Sequence, residues 1–182
     1  MYERGHNVFN IGDVILYTTR GVCRIDDKII KQLGGKDVDF FVLHLLDNQS
    51  SQTFYVNLSI EQNLNNLKPL LSKEEIINLI NELPFLEPYW IDNDNQRKAA
   101  FAQILRAGDR KDSIKMIRSI RYHELTMVNK SRKLHAVDAQ AFDEAMNHIV
   151  DEFSYVLNED KKAIYEKICY DLEQQIKSDN IV

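Results

Sequence analysis

The stretch LEPYWIDNDNQRKAAF holds the side chains with the most distinctive chemistry in this chain. It contains the only tryptophan, Trp90, followed by the acids Asp92 and Asp94 and then by the basic pair Arg97 and Lys98. A tryptophan at the start of a helix commonly packs on a neighbouring helix, but its large ring can also serve as a contact surface. The sequence leaves two roles open for Trp90, as a core residue or as a contact to something outside the protein.

Basic residues concentrate in one part of a chain whose net charge is −5. Residues 97–133 contain 11 basic and 3 acidic residues, whereas residues 134–182 contain 4 basic and 11 acidic ones. A basic helical face could contact nucleic-acid phosphates, or it could pair with the acidic C-terminal helices. The basic residues at helical spacing are Lys111, Lys115, Arg118 and Arg121.

The sequence carries none of the short motifs that mark common catalytic or cofactor sites, such as GxGxxG, a phosphate loop, HExxH, GxSxG or CxxC. Its five histidines are scattered, and His123 has no second histidine at a metal-ligand spacing. Cys23 and Cys169 lie far apart, which favours two inert thiols over a disulfide. These features favour a binding module over an enzyme, and we expect neither a cofactor nor a metal ion.

Residues 9–67 show the alternation and the turn residues of β-structure. Gly12-Asp13 and Gly34-Gly35 mark turns, FFVLHLL has the length of a strand, DNQSSQ is a polar loop, and TFYVNLS returns as a strand. About five short strands in some sixty residues indicate a small antiparallel barrel of the SH3 or Tudor kind.

The periodicity becomes helical after Leu71. Ser72 and Glu75 form a capping-box pattern, and the apolar helical face that follows ends at Pro84. We place the domain boundary in PFLEP and predict a Tudor-like domain at 1–71, a connecting helix at 72–84 and a helical domain at 85–182. The predicted fold class is therefore α+β, with two domains: an antiparallel β-barrel followed by an all-α domain.

The helical part contains residues typical of helix ends. Asp92 and Asp94 are candidate N-caps for a helix that ends at Gly108, and Asp138 is a candidate N-cap further along the chain. No apolar run approaches the length of a membrane span, and no signal-peptide pattern is present. We therefore expect a cytoplasmic protein with no membrane association.

The order of these features resembles the CarD/CdnL family of bacterial transcription regulators. The resemblance covers roughly residues 9–157 and rests on FNIGDVILYTTRGVCRI, on FFVLHLL and TFYV, and on RKAAFAQILRAGDRKDSIKMIRSI. Within the first motif the matching residues are Phe9, Gly12-Asp13, Tyr17, Gly21-Val22 and Ile25. The chain departs from the family pattern at Thr18 and Asn57, where proline is usual, in the acidic insert after Trp90, and in the added segment 158–182.

The resemblance implies a function. Family members bind the β subunit of RNA polymerase at its lobe through an edge strand of the Tudor-like module, and their helical domain contacts promoter DNA without sequence specificity. Here the implied polymerase contacts are Lys31, Thr53, Phe54, Tyr55 and Val56. The implied DNA contacts are Trp90, Arg97, Lys98, Lys111, Lys115, Arg118 and Arg121, with Trp90 as a wedge that stabilises the open promoter complex.

Two other functions stay open at this point. The first is a polymerase-binding adaptor whose helical domain binds a protein instead of DNA, which the acidic insert and the acidic C-terminal part favour. The second is an enzyme with a site of unfamiliar type. The leading hypothesis is a monomeric, bacterial, cytoplasmic regulator that is associated with the nucleoid through RNA polymerase.

Overall fold

Alternating apolar residues and glycine turns build a five-stranded antiparallel sheet in the first part of the chain. The computed structural model describes residues 9–46, 52–128 and 134–179. The strands are β1 Val14–Tyr17, β2 Gly21–Leu33, β3 Lys36–Leu45, β4 Thr53–Asn57 and β5 Leu67–Pro69, and a short helix α1, Glu61–Asn65, lies between β4 and β5. The predicted loop at 47–52 falls almost entirely outside the described residues.

The strand order in the sheet is β4-β3-β2-β1-β5, and all neighbours are antiparallel. Strands β2 and β3 form a long hairpin that turns at Gly34-Gly35, where both glycines have positive φ angles of 59° and 77°. Such angles suit the tight turns that follow the twist of a hairpin. The register shifts between Ile25 and Asp27, which marks a β-bulge in β2 and bends this long strand.

The described residues form six α-helices, and five of them lie after Leu70. These five are α2 Lys73–Glu82, α3 Asp94–Ala107, α4 Arg110–Val128, α5 Ala136–Leu157 and α6 Lys161–Asp179, with a 3₁₀ turn at Leu83–Phe85. Helix α4 packs against α3, α5, α6 and the 3₁₀ turn. The α+β class predicted from the sequence is confirmed, with a β unit followed by helices.

The chain forms two units, Met1–Leu70 and Leu71–Val182, each with its own core. The first core joins Ile15, Cys23, Ile25, Phe41, Leu43, Val56 and Leu67. The second core includes Ile76, Ile80 and Leu83 together with buried residues of α3, α4, α5 and α6. Helix α2, predicted as a connector, is therefore part of the helical unit, because its apolar face is buried in that core.

The helix ends confirm some of the predicted caps and correct others. The capping box of Ser72 and Glu75 is confirmed, and Gly108 ends α3 in the left-handed region with φ 64°. The N-cap of α3 is Asn93, whose side chain accepts from the N–H of Gln96, and not Asp92 or Asp94. His135 precedes α5, and Asp138 lies inside its first turn. Asp138 is not a cap because its carboxylate is bound to an arginine on α3.

Candidate functional site

Strand β4 lies at one end of the sheet and pairs with β3 alone in the described part of the chain. The outer edge of such a strand carries backbone N–H and C=O groups that can pair with another strand. Strand β5, at the other end, spans three residues and includes Pro69, which has no N–H to donate. Between the two ends of the sheet, β4 is the better edge for strand addition.

Alternation along β4 divides the predicted contacts between two faces of the sheet. Thr53 and Tyr55 point outward, and Tyr55 is 55% exposed. Phe54 packs on the core, and Val56 is only 2% exposed and belongs to it. The side chains of Phe54 and Val56 therefore face the core, and their backbone groups pair with β3. The backbone groups of β4 that point outward are those of Thr53, Tyr55 and Asn57.

Lys31 lies over two aromatic rings on the outer face of the sheet. Its Nζ is 3.6 Å from the centroid of the Tyr55 ring and 5.7 Å from that of Phe40. A cation over an aromatic face is held by the ring quadrupole. Phe40 is buried and was not predicted as part of the site. The sequence signal for Phe40 is the adjacent pair Phe40-Phe41. Because neighbouring residues of a strand point to opposite faces of the sheet, one of these two rings must lie on the outer face.

Trp90 packs against the core of the helical unit. Its ring is stacked on His123, with centroids 3.5 Å apart and planes 7° apart, and it meets Phe101 edge-on at 6.4 Å. The Cζ of Arg97 lies 4.4 Å from the ring centroid. Of the two roles that the sequence left open, these contacts favour packing, and Trp90 is partly buried against the core. His123 was missed because no spacing links it to Trp90.

Arg97 is 2% exposed and is held by four hydrogen bonds. Its Nε and Nη2 donate to the two carboxylate oxygens of Asp138 at 2.9 and 2.8 Å. Nη2 also donates to Asp94 at 2.9 Å, and Nη1 donates to the carbonyl of Ile91 at 2.7 Å. The hydrogen bonds that Arg97 donates to Asp138 raise the pKa of Arg97, although burial acts in the opposite direction. Arg97 is therefore a buried anchor, and its assignment as a phosphate contact is corrected.

The predicted basic face is largely used inside the helical unit. Arg118 is 2% exposed, because residues 113, 114 and 116–120 of α4 are all buried between neighbouring helices. Arg121 pairs with Glu124 and with Glu173 of α6. Arg121 thus follows the alternative reading, in which basic residues pair with acidic C-terminal helices.

The three predicted lysines remain near the surface. Lys98 is exposed, and Lys111 is exposed while paired with Glu82 at 2.7 Å. Lys115 is half-buried, with its Nζ 5.7 Å from the ring centroid of Tyr89. The structure therefore separates the predicted DNA contacts into accessible lysines and arginines that are buried or paired.

A second buried ion pair lies elsewhere in the helical unit. Glu152 is fully buried and accepts two hydrogen bonds of 2.8 Å from Arg110, and one of 2.9 Å from the backbone N–H of Leu71. This carboxylate ties the start of the unit to α4 and α5. Glu152 was not predicted, because its partners lie 42 and 81 residues away in sequence.

The two cysteines and the possible metal ligands are further reactive groups in the sequence. Cys23 and Cys169 are free, and burial raises the pKa of the Cys23 thiol to about 12. Within residues 9–46, 52–128 and 134–179, no cluster of histidine, cysteine and carboxylate side chains could hold a metal ion. In the same part of the chain, no helix has the length and apolar character needed to cross a membrane.

A scan against protein-family models gives no match for this chain, and a search of curated proteins gives none either.

Proposed function

We propose that this chain is an RNA polymerase-binding adaptor that docks through strand β4 and uses its helical unit to bind a protein. The observation that carries the proposal is the position of β4 at an open end of the sheet, with Tyr55 and Lys31 exposed beside it. Backbone pairing would supply affinity, and the outer side chains would supply specificity. The polymerase itself, and its β lobe as the docking site, come from the resemblance to CarD/CdnL proteins.

In this proposal the β unit is a Tudor-like barrel. The bulge in β2 supports that geometry, because a long strand must bend to take part in closing a sheet. The barrel would stay open between β4 and β5, the two ends of the strand order, so that β4 keeps a free outer edge. The protein would act as a monomer in the bacterial cytoplasm, at the nucleoid, without a cofactor and without catalysis.

The surroundings of Trp90 favour a protein partner for the helical unit. A DNA wedge must expose its ring to a base step, and here the ring is packed on His123, Phe101 and Arg97. Exposing Trp90 would also disturb the ion pair of Arg97 with Asp138. The cost of breaking such a buried pair is several kcal/mol.

The exposed lysines support a second candidate function, in which the helical unit contacts promoter DNA and stabilises the open complex. Lys98 and Lys111 are exposed and could reach phosphates without any change in the helical core. Phosphate contacts of this kind do not depend on the DNA sequence. In this candidate the lysines contact the DNA, and Trp90 stays packed against the core.

A binding assay with the full chain and purified polymerase β lobe tests the docking strand. We expect Tyr55→Asp to weaken binding by about tenfold or more. The substitution removes the aromatic ring on which Lys31 lies and puts a carboxylate on the strand that pairs with the partner. Ile11→Asp is the matched control, since Ile11 is 59% exposed in the same unit and lies outside β4. Equal affinity of the two variants, or no binding by the unmodified chain at micromolar concentration, contradicts the proposal.

The salt dependence of DNA binding separates the two candidate functions. If the lysines contact phosphates, Lys98→Glu lowers the affinity of the full chain for duplex DNA and makes the salt slope shallower. The adaptor proposal predicts weak binding whose salt slope does not change in this variant. A change in slope by about one phosphate contact would favour the DNA candidate.

A further inference from the structure

A groove of about 310 Å³ lies on the helical unit between α2 and the turn that joins α3 to α4. One side of α2, with residues at helical spacing, forms its first wall, and Asp109, Arg110 and Lys111 form the second. The lining residues before and on α2 are Leu71, Glu75, Asn78, Leu79 and Glu82. The volume is near the lower end of the range of about 300 to 1,000 Å³ for small-molecule pockets, which suits one or two side chains.

The walls of this groove are held in place by groups beneath it. The buried carboxylate of Glu152 binds both Arg110 and the backbone N–H of Leu71. The capping box of Ser72 and Glu75 fixes the start of α2, and Asp109 accepts a hydrogen bond from the N–H of Asp112 at the start of α4. A groove that exists before binding loses little entropy when a partner enters it.

The groove combines an apolar floor with a negative rim. Leu71 and Leu79 are half-buried and pack against the core. Three carboxylates line the groove, and the charge of Arg110 is already compensated by Glu152. Hydrogen bonds from Ser72 hold the pKa of Glu75 below its usual range, so this carboxylate is ionised at neutral pH.

The remaining cation, Lys111, pairs with Glu82 across the groove at 2.7 Å. Both side chains are exposed, and an exposed pair of this kind contributes little to stability. An incoming cation could therefore replace Lys111 as the partner of Glu82 without a large loss in stability. Lys111 would then turn toward solvent.

We propose that this groove binds a segment of a partner protein in which an apolar side chain stands next to a lysine or arginine. The apolar side chain would lie on Leu71 and Leu79, and the cation would pair with Glu82. The inference deepens the proposed protein-binding role of the helical unit and rests on it. It is independent of polymerase docking through β4, because every groove residue belongs to the helical unit.

The test is an NMR titration of the isotope-labelled full chain with the peptide acetyl-Gly-Lys-Leu-Leu-Arg-Gly-amide. We expect saturable shifts of the amide signals of Asn78, Leu79 and Lys111. Two matched peptides, with both leucines replaced by serine or both basic residues replaced by glutamate, should bind at least about fivefold more weakly. Equal binding of all three peptides, or shifts confined to other parts of the chain, overturns the proposal.

Two variants of α2 provide the control within the chain. Glu82→Lys removes the rim carboxylate and should weaken the basic peptide by about tenfold. Glu74→Lys makes the same charge change on an exposed residue of α2 outside the groove and should leave the affinity within about twofold. Equal effects of the two variants overturn the groove as the site. If the peptide does not bind, the polymerase assay with Tyr55→Asp is unaffected. Failure of the groove proposal can therefore be distinguished from failure of polymerase docking.

Discussion

At the scale of single residues, the arginine that the sequence assigned to DNA contact has become the centre of a buried network. Arg97 joins Asp138 on α5, Asp94 in its own helix and the carbonyl of Ile91, while its guanidinium lies against Trp90. Each of its partners restrains the segment that leads from Trp90 into α3. The packing of Trp90 therefore depends on charge pairing as well as on apolar contacts.

Removing the carboxylate of Asp138 from this network should lower the denaturant concentration at which the helical unit unfolds. In Asp138→Ala the guanidinium of Arg97 stays buried without its main partner, so we expect a loss of about 3 to 5 kcal/mol in the free energy of unfolding. Denaturant titration followed by Trp90 fluorescence measures this directly. Lys98→Ala, an exposed neighbour of Arg97, should change stability by no more than about 0.5 kcal/mol. Similar losses in both variants would contradict the buried network.

His148 gives the helical unit a pH dependence with a defined sign. Burial lowers the pKa of His148, and the nearby carboxylates of Glu144, Asp151 and Glu152 counteract this only in part. The unfolded chain takes up this proton at about pH 6.5, whereas the folded chain takes it up at lower pH. The stabilising contribution is thus complete above about pH 6.5 and is lost as the pH falls through the lowered folded pKa.

We therefore expect His148→Gln to reduce the loss of unfolding free energy that the unmodified chain shows between pH 7.5 and pH 5. Denaturant titrations at several pH values check this, and effects of carboxylates common to both chains cancel in the comparison. His135→Gln, an exposed position at the start of α5, is the control. An unchanged pH profile in His148→Gln would show that burial of this imidazole has no effect on stability.

At the scale of elements, α2 belongs with the helices that follow it. Ile76, Ile80 and Leu83 are buried in the helical core, and Glu152 holds the backbone of Leu71 just before the helix. The predicted boundary in PFLEP treated Pro84 as a hinge. Instead, the segment after it is held by the core, against which Leu86, Tyr89 and Trp90 pack.

Two fragments test this assignment. Residues 71–182 should fold with a cooperative transition, because they contain the complete helical core. Residues 85–182 lack Ile76, Ile80 and Leu83. The loss of three buried aliphatic side chains, at about 2 to 5 kcal/mol each, is comparable to the whole stability of a typical domain. Circular dichroism during heating distinguishes them. A cooperative transition of the shorter fragment at the same temperature would contradict the role of α2.

The sequence predicted those features whose determinants are close together in the chain. The capping box needs only Ser72 and Glu75, and the end of α3 needs only Gly108. The partners of Arg97 and Glu152 could not be predicted, because Asp138 lies 41 residues from Arg97 and Arg110 lies 42 residues from Glu152. The burial of Arg118 could not be predicted for the same reason, since a helical pattern does not show that neighbours cover α4 on several sides.

At the scale of the whole molecule, the chain consists of two units, and we propose a different means of binding for each. The β unit offers backbone at β4, which can pair with a strand whose sequence is only loosely constrained. The helical unit offers side chains, in a groove with a negative rim. An adaptor needs two such surfaces, because each partner must be able to bind without displacing the other.

The central claim is that β4 pairs with a strand of the polymerase β lobe, and amide hydrogen exchange measures that pairing directly. With saturating β lobe, we expect the outward amides of Thr53, Tyr55 and Asn57 to exchange at least about tenfold more slowly, while those of residues 89–94 do not change. At a β-lobe concentration that half-saturates the unmodified chain, Tyr55→Asp should lose most of the protection, and Ile11→Asp should retain it. Exchange at β4 that is unaltered by bound β lobe, or protection confined to the helical unit, would contradict the account.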